Sequence, residues 1–188
     1  WNGREVRADG RQIRLQPGVI GAQANAVLAP LQRKIGPDPA SINACKIGGI
    51  VANNASGMCC GTAQNSYNTL AGMRLVLADG SVLDTEDASS VASFQSSHAE
   101  LLAQLGELGQ QTRDNSELAA KIRHKYRLKN TTGLSLNALV DYEQPLDILS
   151  HLMVGSEGTL GFISSVTYHT VPDHPHKASA LVVFPDVE

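Results

Sequence analysis

Small, flexible and uncharged polar residues gather in one segment, Ile47-Gly48-Gly49-Ile50-Val51-Ala52-Asn53-Asn54-Ala55-Ser56-Gly57. Paired glycines let a backbone approach a flat or anionic ligand closely and adopt conformations closed to other residues. Asn53, Asn54 and Ser56 add donors and acceptors without charge. Successive backbone N–H groups, helped by a nearby helix N-terminus, form a concave site for phosphate oxygens or for the polar edge of a ring. Two readings stay open on composition: a dinucleotide laid against main chain, and a tight loop packed between helices. The commoner phosphate loops are absent, since no G-x-G-x-x-G follows a strand and no G-x-x-x-x-G-K-[ST] occurs.

Other reactive residue types are less concentrated. Cys45, Cys59 and Cys60 are odd in number, two of them adjacent, which suits neither a disulfide framework nor a C-x-x-C metal site. They read as core or semi-buried thiols in a reducing, cytoplasmic compartment, and no metal site is expected. His169, His174 and His176 lack a neighbouring carboxylate-histidine pattern and read as surface residues. Arg123, Lys125, Arg127 and Lys129 read as a solvated helix end complementing the helix dipole, with an anion-facing stretch as the alternative. The sequons at Asn54 and Asn130 are discounted, because the first lies in the small-residue segment.

These residues must be positioned by an ordinary globular core. The chain has 188 residues, 42% hydrophobic and 18% charged, with a net charge of −3 and no basic block. With only 4% aromatic residues as well, it offers neither a phosphate-tracking stripe nor a base-stacking platform, and nucleic acid is not an expected partner. The apolar runs fall far short of the ~20 residues that a membrane-spanning helix needs. The chain starts at Trp1-Asn2-Gly3, without an initiator Met or a signal peptide, and this start reads as a boundary inside a longer protein or a cleavage point.

Asp9-Gly10 and Asp79-Gly80 each divide two apolar runs, which predicts hairpins pairing residues 6–8 with 12–15 and 70–77 with 82–85. Residues 22–32 carry Ala, Val and Leu at helical spacing. Residues 37–61 show no sustained period and read as a long loop of the functional kind. Ser97 with Glu100 forms a capping box, so a helix is predicted to start there, with another over 116–127 after a break at Asp114-Asn115. Pro145 opens a short helix through Leu152, and strands are predicted over 162–171 and 178–184. Hairpins early, helices in the middle and strands late describe an α+β chain.

Four motifs then occur in order: Gly36-Pro37-Asp38-Pro39-Ala40-Ser41, the small-residue segment, Leu77-Ala78-Asp79-Gly80 and Gly155-Ser156-Glu157-Gly158-Thr159-Leu160-Gly161. Over residues 15–171 the chain resembles the FAD-linked oxidase family. That is the vanillyl-alcohol-oxidase type fold, and within it the branch of D-lactate, glycolate and D-2-hydroxyglutarate dehydrogenases. The resemblance implies an α+β second subdomain of the FAD-binding fold, mainly antiparallel sheet flanked by helices. Residues 1–172 would be the C-terminal part of the FAD-binding domain, with its first subdomain upstream, and 173–188 the start of the substrate-binding cap.

The implied cofactor is FAD, with a metal ion or iron–sulfur cluster only in domains outside this chain. The implied reaction is hydride transfer to FAD from C2 of a small-molecule D-2-hydroxy acid, with electrons passed to a separate acceptor, in a protein that is cytoplasmic or peripheral to the membrane. Alditol and aromatic-alcohol oxidases of the same fold are the alternative, as is a nucleotide-binding or interaction module without activity. The family's motifs map cofactor contacts onto Pro37, Asp38, Pro39, Ser41, Gly48, Gly49, Asn53, Asn54, Ser56 and Gly57, then Gly61 and Thr62, then Glu157, Gly158, Gly161 and Ile163. For Glu157 two roles stay open, a hydrogen bond to the cofactor or a cap on its own loop. No catalytic residue is named, because the family's arginines and metal-binding histidines lie in the cap. The chain departs from the family's Tyr-Gly-x-x-x-Asp at Cys60 and Asn65, and Lys46 stands where a small hydroxyl residue is common.

Overall fold

The computed structural model describes every residue except Lys177, Ser179, Val187 and Glu188. β1 (Arg4–Arg7) and β2 (Gln12–Leu15) pair antiparallel, with Arg4 opposite Leu15. Their connection is left-handed at Ala8, Asp9 and Gly10, with φ of 48°, 51° and 85°, so the Asp-Gly signal marks a real reversal but a longer one than a two-residue turn. α1 (Gly21–Leu28) stops short of the expected Gln32. Pro30 lacks the N–H that an α-helix needs and clashes with the preceding turn, so residues 29–31 tighten into a single 3-10 turn. β3 (Arg33–Ile35) follows, a strand the sequence did not announce.

The expected long loop over 37–61 contains a helix, α2 (Ile47–Asn53), which carries both glycines of the small-residue segment. After α3 (Ser66–Thr69) come β4 (Leu70–Val76) and β5 (Val82–Asp84), the second predicted hairpin. Helix formation then begins earlier than the Ser97 capping box implied. α4 (Ala88–Ser97) is capped by Asp87, whose side chain accepts from Ser89 and Ser90 N–H, and the Ser97 hydroxyl donates back to Ser93 O instead of capping. α5 (Ala99–Asp114) and α6 (Ser116–Lys125) are separated as expected, with Asn115 capping α6 through Leu118 N–H. α7 (Ala138–Asp141) and α8 (Pro145–Met153) lead to β6 (Phe162–Pro172). The strand expected over 178–184 is not formed by its described residues. No sheet edge pairs with them, and Leu181, Val182, Val183 and Phe184 are all exposed.

All pairings are antiparallel, in the order β1-β2-β6-β4-β5, with β3 on the far end of β6. Strand alternation sorts the residues. Ile13, Leu15, Met73, Leu75, Leu83, Val166 and Tyr168 join one apolar core with Val19, Leu28, Ile47, Ile50 and Ile148 from the helical layer and its approaches. Each such buried side chain contributes roughly 1.5–3 kcal/mol. The alternate residues are polar. Arg14 bridges Asp84 at 2.5 Å, Glu86 at 3.1 Å and the Ser165 hydroxyl at 3.1 Å, and the Thr167 hydroxyl donates to Glu86. The result is an α+β fold with helices packed on an antiparallel sheet, as the sequence indicated.

Candidate functional site

α2 is held at both ends by the loops that share its motifs. At its start, the Ile47 and Gly48 N–H groups donate to the carbonyls of Val19 (2.8 Å) and Pro17 (3.0 Å) in the chain leaving β2. The expected nest of free amides is therefore corrected, because these two first-turn donors are engaged inside the fold. At its end, the N–H groups of Gly155 and Glu157 donate to Val51 O (3.2 Å) and Ala52 O (3.0 Å), satisfying carbonyls that a helix terminus otherwise leaves without partners. Gly155, Glu157 and Gly158 adopt φ of 89°, 53° and 78° to make that approach. The Glu157 carboxylate accepts from Asn53 Nδ2 at 2.5 Å, so in this structure it fastens its loop to α2.

With those two amides engaged, α2 presents glycine surface outward at Gly49. A Cβ on Gly48 would come within 2.8 Å of Pro17 Cβ, which explains that glycine by packing. Gly49 is exposed and a Cβ there would meet nothing within 4 Å, nor would one on Gly158. Gly48, Ala52, Gly158, Gly161 and Ile163 line a small groove of about 120 Å³ together with Pro17 and the exposed ring of Phe162.

A larger groove of about 420 Å³ lies among Asp38, Pro39, Ser56, Gly57, Met58, Cys59 and Lys129. Its shape depends on Gly57, where a Cβ would overlap the Asp38 carbonyl oxygen. Lys34 pairs with Asp38 at 3.6 Å, and Lys129 Nζ donates to Gly57 O at 2.7 Å. Three of the four motifs thus converge on α2 and its flanks.

Other expected positions lie elsewhere or face inward. Asn54 is buried in the left-handed conformation (φ 52°), and its Oδ1 accepts the Tyr67 N–H at 3.2 Å, so it closes the helix and faces the core. Pro37 is buried, and Ser41 is exposed but lines neither groove, its carbonyl accepting from Ala44 and Cys45 N–H. Gly61 has φ 54° with open space where a Cβ would be, and Thr62 O accepts from Asn68 Nδ2 at 2.7 Å. Asp79 of the Leu-Ala-Asp-Gly turn accepts from the Ser81 hydroxyl and N–H and from His98 Nε2, contacts that hold its carboxyl below the usual range. It builds the hairpin, and Leu77 packs beside Gly161.

The departures from the family pattern also have local roles. Asn65 caps α3 through Asn68 N–H at 2.9 Å, and the buried Cys60 sulfur accepts from Gly57 N–H at 3.2 Å. Lys46 is exposed. Among the described residues no group of three or more His, Cys, Asp or Glu could hold a metal ion, and no helix is long and apolar enough to cross a membrane.

The sequence named Lys129 only within a basic stretch read as a solvated helix end, with an anion-facing role as the alternative, and it did not point to an aromatic cluster. Lys129 was one of four alternating basic residues, and only tertiary structure carries it to Gly57. In the cluster, Tyr142 stacks on His151 with ring centroids 3.9 Å apart, Tyr67 stands edge-on to His151, and its hydroxyl donates to Asp141 at 2.8 Å. The Tyr142 and His151 rings line a cavity of about 400 Å³ that none of the motif residues lines. Burial lowers the His151 pKa, raises that of Tyr142 to about 12 and raises that of Tyr67 well above its usual value. His151 is therefore held neutral.

With this geometry in view, residues 1–86 match the family described as FAD binding domain. The chain fits the FAD-linked oxidase family. Within that family it fits the branch of the D-lactate, glycolate and D-2-hydroxyglutarate dehydrogenases, and its cofactor is FAD. A D-2-hydroxyglutarate dehydrogenase of Pantoea ananatis is 30% identical over 178 residues, covering 89% of this chain and 16% of the relative. One from Haemophilus influenzae is 29% identical over 165 residues, covering 85% and 16%. The glycolate oxidase subunit GlcD of Escherichia coli is 35% identical over 79 residues, covering 42% and 16%. A solved alkyldihydroxyacetonephosphate synthase superposes with a TM-score of 0.49 at 16% identity, covering 91% of this chain and 21% of that one. The flavoprotein segment thus spans 16% of the length of these curated relatives.

Proposed function

We propose that this segment forms one wall of the FAD site in a dehydrogenase that oxidises a D-2-hydroxy acid to the 2-oxo acid and passes the electrons to a separate acceptor. The observation that carries the reading is the convergence of the small-residue segment and the Gly155-to-Gly161 loop on α2, with Gly49 and Gly158 open to close approach. A glycine inside a helix costs roughly 0.5–1 kcal/mol relative to alanine. Among the described residues nothing packs where a Gly49 side chain would stand, so a ligand lying against the main chain accounts for it.

FAD, when bound, supplies the hydride acceptor. The chain's own residues supply surface and orientation. Gly48, Ala52, Gly158, Gly161 and Ile163 offer a small, mostly apolar groove, and Asp38, Pro39, Ser56 and Gly57 a wider and more polar one. Asn53 and Glu157 lock the two loops together, so the groove is formed before a ligand arrives. The buried Ser156 hydroxyl has no hydrogen-bond partner among the described residues.

D-2-hydroxyglutarate is the substrate proposed first, since relatives with that name cover more of the chain than the glycolate oxidase subunit does. D-2-Hydroxyglutarate, D-lactate and glycolate should be screened against the full-length protein with an artificial electron acceptor. Bleaching of flavin absorbance by one of them is the expected result. A full-length protein that is colourless and takes up no added FAD refutes the proposal, and a yellow protein reduced by none of the three refutes the substrate class.

A further inference from the structure

Lys129 is the cation that the larger groove leaves unmatched. Its ammonium donates to Gly57 O at 2.7 Å, which uses one of its three N–H donors. No ion pair among the described residues involves it. The groove's carboxylate, Asp38, is engaged by Lys34 on the other side. Apart from Ser56, the remaining side chains of the lining are apolar or sulfur-bearing, with Pro39, Ile42, the 93%-exposed Met58 and the exposed Cys59. A diphosphate carries two negative charges and calls for several donors, and a carboxylate in the same groove opposes it. A planar ring that is neutral in one redox state and singly anionic in the other matches mostly apolar walls that carry one neutral hydroxyl and one spare ammonium.

We propose that Lys129 is the positioning cation for the isoalloxazine ring, favouring the reduced form, whose negative charge develops at the N1–C2=O edge. This rests on the FAD reading above and adds the part of the cofactor that the larger groove takes and the residue that tunes it. A positive charge near that edge stabilises the anion and draws electrons into the ring.

The test uses full-length protein loaded with FAD, as wild type, Lys129→Met and Lys129→Arg. Sulfite is the probe, because its lone pair adds to N5 of the oxidised ring and leaves the negative charge at N1, mimicking reduction without turnover. Lys129→Met is expected to retain FAD, bind sulfite at least about tenfold more weakly and show a lower flavin reduction potential. Lys129→Arg, which keeps the charge, should restore both. Unchanged sulfite affinity and potential in Lys129→Met overturn the proposal. So does weaker FAD retention with unchanged potential, which would move Lys129 to the diphosphate. Equal impairment of both variants overturns it by leaving only the tie to Gly57. A wild-type protein that takes up no FAD overturns the flavin reading itself, and this inference with it.

Discussion

Gly49 and Gly57 lie on the same motif and answer to opposite constraints. At Gly57 an added Cβ would run into the Asp38 carbonyl, so Gly57→Ala must displace the Pro-Asp-Pro turn or its own loop. A loss of about 3 kcal/mol is expected, the upper part of the range for overpacking a rigid site. At Gly49 the same methyl meets nothing, and the helix gains the propensity of alanine. Gly49→Ala should therefore stabilise the apoprotein by roughly 0.5–1 kcal/mol while weakening FAD binding. Urea unfolding of the apo forms, paired with FAD titration of the full-length variants, checks both signs. A Gly49→Ala variant that binds FAD normally removes the argument that a ligand approaches there. Residue types made the segment legible as a close-approach surface, but they did not give directions. Asn54 looked like a ligand contact and instead caps α2 inward, because which way a side chain points depends on the left-handed φ at that residue.

At the scale of elements, what was legible followed alternation and turn chemistry. Both Asp-Gly hairpins and β6 were readable, because an apolar-in, polar-out strand leaves its period in the sequence. α2 was not, since seven residues with two glycines cannot hold a helix by propensity, and its ends are stabilised by Pro17, Val19 and the 155–157 loop. α4 was also missed, being serine-rich with Phe94 its only fully buried residue. The polar sheet face rests on Arg14, whose side chain is only 18% exposed while bridging β2 to Asp84, Glu86 and β6. Arg14→Met removes one partner of a half-buried pair and should cost about 2 kcal/mol, discounted from the fully buried case for solvent screening. Chemical denaturation tests this, and a change below about 0.5 kcal/mol would place the network among inconsequential surface pairs.

α8 carries a pH signature. Desolvation lowers the pKa of His151, opposed by its Asp147 carbonyl contact and by the charges of Asp147 and Asp141, so the unfolded chain takes up a proton before the folded one does. Its contribution to stability is complete above the ordinary value of 6.5 and is lost as pH falls below it toward the folded pKa. Thermal midpoints should fall as the pH drops below about 6.5, ahead of the carboxylates. His151→Phe, which keeps the stack on Tyr142, should flatten that fall. If wild type and variant fall in parallel there, the dependence belongs to another group.

For the molecule as a whole, each groove is lined in part by a large apolar side chain that is exposed to solvent, Phe162 in one and Met58 in the other. Phe162 meets Trp1 edge-on, with ring centroids 5.8 Å apart, and Trp1 is itself 70% exposed. Ligand sites usually bury about 70–90% of a bound molecule. A dinucleotide lying on these surfaces alone would be covered on one side, with Phe162 and Met58 left wet. The chain spans 16% of its relatives' length, and the second wall is proposed to come from elsewhere in the whole protein. The 188-residue chain by itself should therefore fold yet hold FAD at least about a hundredfold more weakly than the full-length protein, a difference of roughly 2.7 kcal/mol. Quenching of flavin fluorescence on titration, run in parallel on the two proteins, measures the ratio. Tight one-to-one binding by the chain alone would show that α2 and its two loops form a complete site, and the proposed second wall would have no role in holding the cofactor.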